Sequence, residues 1–565
     1  MMRIVSSFKL FQLWRDEFRN YTFQTFQRDL LAGITVAAVA LPLALAFGVA
    51  SGATAAAGLV TAILAGFLIG GLGGTAFQVS GPTGAMSAVL IVLASRYGLQ
   101  GMWLAALLAG VMIFLLGVFD LGQIVNFIPT AVIAGFTSGI ALIIFIGQID
   151  NLLGVKTAAA DSSVVKFLNY FHFDYSPNFA AVGLAFLVIF IMVFWPMHLN
   201  ARFPGSLLAV IVATLGSVVL NLNMPVIGNI PQTILLDQRL MPAQIPWDHI
   251  GQLIMPAFSI AALGAIESLL CGTVAGRMAG QKMDSGQELI AQGLGNIILP
   301  FFGGVPATAA IARTSVAIKA GGRTRIVSLV HSATLLLAAL FLSPVISRIP
   351  LAVLAGVLAV TAWRMNEWHE IQQIFKLGFK SAIFAFLSTL IATVALDLTQ
   401  AIILGVGLSA LIFVFQISRC KVTLEPVSVE RMRAEGYDMQ YPADRIVVAY
   451  IMGPLFFGTV NTFNTATEKL NGLQDIILSL RTVPLLDTTG LGAIEDLIER
   501  LESSGQRVYL SGLNEPTRVY LERAGVLKHL GADRVFWSAL EAIKAADHYR
   551  TQIVPHDPIV ENTYR

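Results

Sequence analysis

The 565-residue chain has little charge and little cysteine. Only 12% of its residues are charged, about half the ~25% typical of soluble globular proteins, while 56% are hydrophobic and the mean hydropathy is +0.74. The deficit is local, because residues 30–417 hold 27 charged residues and the remaining 177 residues hold 43. These numbers exclude an entirely soluble enzyme and a protein with a single membrane span. They predict a polytopic α-helical membrane protein with a soluble C-terminal domain.

The chain also lacks the sequence patterns of metal-binding, nucleic-acid-binding and catalytic proteins. The two cysteines, Cys271 and Cys420, match no metal-ligand spacing and no disulfide framework, so neither a metal nor a cofactor is expected. The net charge of +2 gives no reason to expect nucleic acid as a partner. No P-loop, zinc motif or hydrolase elbow is present, and no enzymatic activity is predicted. Residues 1–29 lack the apolar core of a signal peptide and are predicted to form a cytoplasmic segment on the membrane surface.

The apolar part of the chain, residues 30–417, contains fourteen predicted membrane spans. An even number of spans places both termini on one side. The predicted inner loops carry nine basic residues against five in the outer loops, so the positive-inside tendency places both termini in the cytoplasm. Residues 418–565 alternate strand and helix patterns and predict a small cytoplasmic α/β domain.

Two predicted spans, residues 82–93 and 307–318, are too short to cross a bilayer alone. Each follows a Gly/Pro interruption and continues with small residues, and each is third in its set of seven spans. Short, interrupted spans at matching positions in two halves are typical of inverted-repeat transporters, whose binding site lies where these helices break. An odd number of spans per half makes the second half inverted. The alternative is two irregular helices without a functional part.

A helix that begins at membrane depth exposes unpaired N–H groups and about half a positive charge. Two such N-termini facing each other would bind an anion without a metal. Thr83 and Thr308 would add hydroxyl donors. Gly84, Ala309 and Ala310 have little or no side chain, so an anion could approach their backbone amides.

Two charged residues inside predicted spans are functional candidates, because charge at membrane depth is unfavourable. Arg313, in the second short helix, would add positive potential to the anion site or form a salt bridge that locks helices. Glu267 lies in an apolar span that favours a protonated carboxyl. It would carry a proton with the substrate, pair with sodium or with Arg313, or pack against the backbone. Cys271 lies one turn further on the same face.

Three further patterns have two interpretations each. Glu288, Gln292 and Asn296 share one helix face, a pattern typical of polar packing between helices, with substrate contact as the alternative. Pro42 either kinks the first span and lines the cavity or marks a tolerated bend. In the soluble domain, Thr488 follows a predicted buried strand at the start of a helix, where phosphorylation is favoured. Equally, Asp487 or Thr488 only caps that helix.

The motifs together resemble those of the SulP family of anion transporters with a C-terminal STAS domain. The similarity extends over essentially the whole chain and is strongest in VSGPTGAMS, LGAIESLLC, ATAAIART and LLDTTGLGAIEDL. Within the family, ALGAIESLLC and ATAAIAR most resemble the DauA-like group of bacterial C4-dicarboxylate transporters.

This resemblance implies fourteen spans in two inverted repeats of seven, divided into a core and a gate, with an elevator-like motion of the core and a homodimeric assembly. It implies an anion site in which Thr83 and Gly84 are contacts of the third helix. Arg313 occupies the basic position that several members use, and Glu267 matches the carboxylate associated with cation coupling. The implied backbone amides of the tenth helix are those of Ala309, Ala310 and Ile311.

The chain differs from other members of the family that it resembles at positions that bear on the coupling ion and the substrate. Sodium-coupled bicarbonate members have Asp at the Glu267 position, Thr at the Cys271 position and no Arg at the Arg313 position, which favours protons over sodium here. Many sulfate-type members have Gln after the first-helix proline, where this chain has Leu43. Pro42, Leu43 and Cys271 are expected to line the cavity. Thr488 matches the phosphorylatable Ser of bacterial anti-sigma-factor antagonists.

The expected function is secondary active transport of small anions across the bacterial inner membrane, with proton-coupled uptake of C4-dicarboxylates such as succinate, fumarate and aspartate. The alternatives are a sulfate or bicarbonate/chloride transporter or exchanger, a channel and, in a different class, a membrane-anchored STAS regulatory protein. The expected partners are the anion, a proton, the lipid bilayer, a second copy of the chain and an unknown cytoplasmic protein on the STAS domain.

Overall fold

The computed structural model describes residues 6–122, 129–157, 163–171, 176–196, 204–228, 230–245, 247–396, 398–470 and 473–553. The chain divides into two compact units between Ser409 and Ala410, a boundary that falls inside the last apolar helix. The first unit is built mainly of helices. The second unit is an α/β domain.

The helices of the first unit follow the predicted apolar spans. Five of them are long and apolar enough to cross a membrane, and several shorter apolar helices accompany them in the described part of the chain. When the broken helix α4 is counted as two spans, all fourteen predicted spans have a helical counterpart. The helices are α1 (Ser6–Phe18), α2 (Phe23–Ala50), α3 (Ala55–Leu72), α4 (Gly84–Val118), α5 (Thr130–Leu153), α6 (Ser163–Asn169), α7 (Phe179–Phe194), α8 (Gly205–Val219), α9 (Ile250–Ala279), α10 (Ser285–Ile298), α11 (Ile311–Lys319), α12 (Ile326–Phe341), α13 (Ser343–Ile346), α14 (Leu351–Met365), α15 (Trp368–Leu377), α16 (Lys380–Ala395) and α17 (Leu398–Ile417).

The two short spans begin behind very short strands. Strand β1 (Ser80–Gly81) precedes α4, and strand β2 (Thr308–Ala309) precedes α11. Helix α4 is broken at Gly98, whose φ of +68° with a ψ of −179° is open to glycine and strained for other residues. The 14 residues before this break rise only about 21 Å, and the nine residues of α11 rise about 14 Å. Both lengths are below the ~30 Å of a hydrocarbon layer, so both are half-helices.

The helices of the first unit pack in two groups. In the first group, α4 packs against α9 and α10, and α3 packs against α2, α10 and α12. In the second group, α5 packs against α14 and α16, and α7 packs against α8 and α14. These groups correspond to the core and the gate that the family resemblance implies.

The N-terminal helix α1 is attached to the start of α12. The Glu17 carboxylate accepts the backbone N–H of Arg325 at 2.6 Å and forms an ion pair with its guanidinium at 2.8 Å. Asp29 accepts the hydroxyl of Thr324 at 2.6 Å and the backbone N–H of Arg323 at 2.7 Å. The predicted membrane-surface segment is therefore held by specific polar contacts with the first unit.

The second unit contains a five-stranded sheet. Its strands lie in the order β3 (Lys421–Pro426), β4 (Ile446–Met452), β5 (Asp475–Thr482), β6 (Arg507–Ser511) and β7 (Val535–Phe536). Strand β3 pairs antiparallel with β4, and the other pairs are parallel. The helices are α18 (Val429–Ala434), α19 (Val460–Thr467), α20 (Thr488–Ser503), α21 (Glu515–Arg523), α22 (Val526–Leu530) and α23 (Ala539–Ile553). The predicted α/β domain is confirmed.

Strand β5 occupies the middle of this sheet and is buried on both faces, as its apolar sequence predicts. Ile476 and Leu478 pack in one hydrophobic cluster with Leu497 of α20. Ile477 points the other way and packs in a second cluster with Ala546 of α23. Strands with both faces covered are typical of parallel sheets in α/β domains.

The turn before α20 settles which residue caps this helix. Asp487 Oδ1 accepts the backbone N–H of Gly490 at 2.7 Å, and Oδ2 accepts that of Phe457 at 3.1 Å. Thr488 is the first residue of α20 and is exposed. The capping interpretation is therefore correct for Asp487 and wrong for Thr488. Phosphorylation of Thr488 stays a prediction.

Candidate anion site between two half-helices

Two half-helices begin at one place in the first unit. In the antiparallel pair of β1 and β2, Ser80 lies opposite Ala309 and Gly81 lies opposite Thr308. The chain passes from β1 into α4 and from β2 into α11, so both helix N-termini stay close to the strand pair. The Oγ1 atoms of Thr83 and Thr308 are 3.1 Å apart. The structure thus brings together the two N-termini that the sequence pattern singled out.

The carboxylate of Glu267 joins the two N-termini. Its Oε2 accepts the hydroxyl of Thr83 at 2.9 Å and that of Thr308 at 2.6 Å. Thr83 also caps α4, because its Oγ1 accepts the backbone N–H of Met86 at 3.4 Å. The hydroxyls that the sequence predicts to face an anion therefore point at a carboxylate in this conformation.

Glu267 is only partly buried, and it faces a cavity of about 40 Å³ between α9 and the gate helices. The gate side is lined by apolar residues of α5, including Val132 and Phe136, and by Thr137 and Thr389. The two threonine hydroxyls donate to carbonyl groups of their own helices. Glu267 is thus the one ionisable side chain in the described lining of this cavity, and it connects the cavity to the half-helix N-termini.

Two of the predicted backbone donors are not available to an anion. The N–H of Ala309 donates to Ser268 Oγ at 3.3 Å, and that of Ala310 donates to the carbonyl of Val79 at 3.1 Å. In this conformation the structure differs from the prediction, because the amide of Ala309 bonds to α9 and that of Ala310 bonds to the residue before β1. Helix α11 begins at Ile311, and no side chain of the described residues caps the N–H groups of its first turn.

Arg313 is buried beside the first strand, with only 2% of its surface exposed. Its Nη2 donates to the carbonyl of Pro82 at 2.8 Å, and its Nη1 has no hydrogen-bond partner among the described residues. The salt bridge considered from the sequence is not found in the described part of the chain, where no carboxylate lies within 4.0 Å of the guanidinium. A free donor on a buried guanidinium favours a hydrogen-bond acceptor beside it, since a buried polar group without a partner is unfavourable.

The start of α4 lies under apolar side chains. A Cβ atom added at Gly84 would be 2.7 Å from Ile144 Cδ1, 2.9 Å from Met365 Sδ and 3.2 Å from the ring of Phe47. Ile144 and Met365 belong to the gate helices α5 and α14, so Gly84 is a contact point between core and gate. A Cβ atom at this position would require the side-chain ends of Ile144 and Met365 to move.

The residues predicted to line the cavity have different surroundings. Cys271 is buried, and its thiol donates to Thr314 Oγ1 of α11 at 3.4 Å. Its place in the cavity lining stays a prediction. Pro42 is buried inside α2, which continues through it, and Leu43 packs partly buried against the hydrophobic core. A cavity contact of Pro42 or Leu43 stays a prediction.

Sequence reasoning missed several residues of this site. Ser268, Phe47, Ile144 and Met365 carry no distinguishing local signal, because serine and apolar side chains are common throughout membrane helices. The position of Ser268 next to Glu267 is the one hint that the sequence offers.

Comparison with known proteins places the chain in a family. The profile of the sulfate permease family matches residues 26–389, and the STAS domain profile matches residues 441–542. YvdB of Bacillus subtilis is 34% identical over 533 residues, which cover 92% of this chain and 97% of YvdB. The bicarbonate transporter BicA of Picosynechococcus sp. is 29% identical over 547 residues, which cover 93% of this chain and 95% of BicA.

Solved structures agree with this assignment. The transmembrane domain of a cyanobacterial bicarbonate transporter BicA superposes with a TM-score of 0.61 at 31% identity, covering 68% of this chain and 98% of that domain. The murine anion transporter Slc26a9 in its inward-facing state superposes with a TM-score of 0.85, covering 96% of this chain and 95% of that chain. Its 20% identity shows the fold alone. The chain therefore belongs to the sulfate permease family of membrane anion transporters and carries a C-terminal STAS domain.

Proposed function

We propose that this protein is a secondary active transporter that takes up C4-dicarboxylates, such as succinate, fumarate and aspartate, together with protons. The supporting observation is the position of Glu267, whose Oε2 accepts hydroxyls from Thr83 of one half-helix and Thr308 of the other. A single titratable carboxyl therefore contacts the N-termini of both half-helices. Protons are proposed rather than sodium as the coupling ion.

The two protonation states of Glu267 have opposite effects on an anion. When the carboxyl is ionised, it places a negative charge between the helix N-termini and engages the hydroxyls of Thr83 and Thr308. When it is protonated, the charge is gone, and its own O–H becomes a donor that a threonine oxygen can accept. The threonine hydroxyls can then turn and donate to the substrate. Anion and proton therefore bind together.

The positive groups around Glu267 supply the anion contacts. Arg313 Nη1 is buried with no partner among the described residues. The N–H groups of the first turn of α11, from Ile311 onward, lack a side-chain cap. The N-terminus of α4 at Gly84 adds the dipole of a second helix. These groups would hold carboxylates without a metal ion.

The substrate class is proposed from the apolar wall beside Gly84. On this side of the site, Phe47, Ile144 and Met365 present carbon and sulfur atoms rather than polar groups. Such a wall suits the carbon chain of a dicarboxylate better than the uniformly polar surface of sulfate. The polar ends of the dicarboxylate would face Arg313 and the helix N-termini.

Sulfate or bicarbonate/chloride transport is the second candidate. YvdB is provisionally named a sulfate transporter, and BicA is named a bicarbonate transporter. Both align over more than nine-tenths of this chain, so either substrate class is compatible with the same fold. Full-length similarity to transporters, together with a buried guanidinium that has a free donor at the helix breaks, disfavours a purely regulatory membrane-anchored STAS protein.

The setting of the proposed activity is the bacterial inner membrane, with both termini in the cytoplasm and a second copy of the chain as partner. An unknown cytoplasmic protein would bind the STAS domain, where Thr488 is exposed at the start of α20. Phosphorylation there would add a charge that the helix N-terminus favours.

A substrate panel tests the proposed function. The full-length protein in liposomes should show saturable uptake of succinate and fumarate that increases when the outside is acidic. Sulfate and bicarbonate serve as competing substrates under the same conditions. Uptake of sulfate or bicarbonate without dicarboxylate uptake would replace the proposal by the second candidate. An ohmic current that does not saturate would indicate a channel.

Gly81 tests whether the position of Arg313 matters for the anion. A Cβ atom at Gly81 would lie 2.4 Å from Arg313 Nη1, so Gly81→Ala should displace the guanidinium without unfolding the protein. We expect the KM of the transported anion to rise about fivefold to tenfold, corresponding to roughly 1 kcal/mol of lost binding free energy. The matched control is Gly147→Ala in α5, because a Cβ atom there would meet nothing within 4 Å. An unchanged KM in Gly81→Ala would contradict the placement of Arg313 at the site.

A further inference from the structure

We infer that helix α10 positions both halves of the anion site, because Glu288, Gln292 and Asn296 on one of its faces hold the two chain segments that lead into the half-helices. The first lead-in segment comprises residues 74–82, and the second lead-in segment comprises residues 304–310. The inference rests on the proposed function, since it takes the two helix N-termini as the place where the anion binds.

The first lead-in segment is held by Glu288 and Gln292. The Glu288 carboxylate accepts the backbone N–H of Gly74 at 3.0 Å and the side-chain amide of Gln78 at 3.1 Å. Gln292 donates through Nε2 to the hydroxyl of Ser80 in β1 at 2.9 Å. These contacts run along the segment from its first residue to the strand that precedes α4.

The second lead-in segment is held by Asn296. Its Oδ1 accepts the backbone N–H of Ala307 at 2.8 Å, and its Nδ2 donates to the carbonyl of the same residue at 2.9 Å. Ala307 directly precedes Thr308, which donates to Glu267. Asn296 therefore fixes the orientation of the peptide next to the coupling carboxylate. From α3, Thr61 holds Val305 in the same two-sided way.

The spacing on α10 matches the spacing of the strands. Gln292 and Asn296 are four residues apart, about one helical turn, which corresponds to a rise of about 6 Å along the helix. Paired strands lie about 4.8 Å apart. Neighbouring turns of one helix can therefore bond to neighbouring strands, with Ser80 of β1 on one turn and Ala307 before β2 on the next.

Helix α10 is itself held firmly against the second part of α4. A Cβ atom added at Gly293 would lie 2.4 Å from the backbone nitrogen of Phe114, and one at Gly110 would lie 2.7 Å from that of Ile297. The two helix backbones are thus in direct contact, which small residues allow in membrane proteins. A helix packed in this way is a rigid support for the segments that it holds.

These contacts distinguish positioning from ordinary polar packing between helices. The bonds of Glu288, Gln292 and Asn296 to the rest of the chain reach irregular backbone and side chains of the lead-in segments. Non-helical backbone at membrane depth is tolerated only when its polar groups find partners. The face of α10 supplies those partners, and it supplies them to both half-helices at once.

The experiment compares Asn296→Ala, Gln292→Ala and Glu288→Gln in the full-length protein, with transport measured in liposomes. Each change removes bonds to a lead-in segment and leaves Arg313 and Glu267 in place. We expect the KM of the transported anion to rise about tenfold in Asn296→Ala, as for the loss of a buried hydrogen-bond partner, and to rise in the other two variants. The dependence of uptake on the pH gradient should persist in all three.

The control is Ser343→Ala, which also removes a buried hydrogen bond to backbone, here to the carbonyl of Ile230, but touches neither lead-in segment. Its KM should equal that of the unmodified protein. KM does not depend on how much protein is folded, whereas Vmax does. If Asn296→Ala fails to reach the membrane, Gln292→Ala still tests the inference. This variant loses the bond to Ser80 in the first lead-in segment but keeps both bonds between Asn296 and Ala307.

Two results would overturn the inference. Lower Vmax with unchanged KM in the α10 variants would show that this face only supports folding. Loss of pH dependence in Glu288→Gln would show that Glu288 carries protons. Failure of the proposed function looks different, because the unmodified protein would then transport no dicarboxylate or Glu267→Gln would retain proton coupling.

Discussion

Glu267→Gln should abolish the dependence of anion accumulation on the pH gradient. Glutamine has nearly the same shape as the protonated carboxyl but neither takes up nor releases a proton. With one proton per anion and the membrane potential clamped, the unmodified protein should accumulate substrate about tenfold per pH unit, since one unit corresponds to about 1.36 kcal/mol. In Glu267→Gln the accumulation should fall to the level seen without a gradient. Uptake of labelled succinate into liposomes measures both values.

The same variant should still exchange anions when the pH is equal on both sides, because the neutral amide leaves the binding groups in place. Counterflow of labelled substrate therefore serves as the internal check that the variant is folded. Asp248→Asn, which changes an exposed carboxyl outside the predicted spans, should behave like the unmodified protein. Replacing sodium with choline should leave uptake unchanged. Full gradient-driven accumulation by Glu267→Gln would remove Glu267 from the coupling mechanism.

Arg313→Ala should raise the KM of the transported anion by about tenfold to a hundredfold, because a hydrogen bond to a charged group contributes roughly 1.5–3 kcal/mol. The guanidinium is buried, and its Nη1 has no partner in the described residues, so an anion would meet a donor that is already desolvated. Initial rates of labelled uptake over a range of substrate concentrations give the KM directly.

Arg313 also anchors the carbonyl of Pro82, and the substitutions must separate this contact from anion binding. Arg313→Lys keeps the charge as a compact ammonium but loses the planar fork of donors. It should recover part of the lost affinity if the charge acts on the anion. If Arg313→Ala and Arg313→Lys both reduce Vmax and leave KM unchanged, the residue serves only as an anchor.

Much of the architecture could be predicted from the sequence because the relevant signals are local. Charged residues are scarce between residues 30 and 417 because charge is unfavourable in the hydrocarbon layer. This scarcity therefore indicates the extent of the membrane domain. The Gly/Pro interruptions before residues 84 and 311 predict the two half-helices, since they end one helical stretch and permit another to begin. The alternation of strands and helices after residue 418 likewise predicts the small α/β domain.

The individual contacts of the site could not be predicted in this way. Ala309 and Ala310 have the small side chains expected at an anion site, yet their amides bond to Ser268 and Val79. Cys271 shares a helix face with Glu267, yet its thiol contacts Thr314, a partner that helical spacing does not indicate. Helical periodicity gives the face on which a residue lies, but it does not say which neighbour that face meets.

Composition and residue spacing are enough to place the protein in a membrane, to locate two broken helices, and to single out Glu267 and Arg313 as rare charges among apolar residues. The folded chain is required to show that one carboxylate accepts hydroxyls from both broken helices, and that one face of α10 holds both lead-in segments. The reason is distance along the chain. Thr83 and Glu267 are separated by 184 positions, and Gln292 and Ser80 by 212. Hydrophobicity and helix breaks act within a few residues, whereas these bonds exist only once the two halves have packed together.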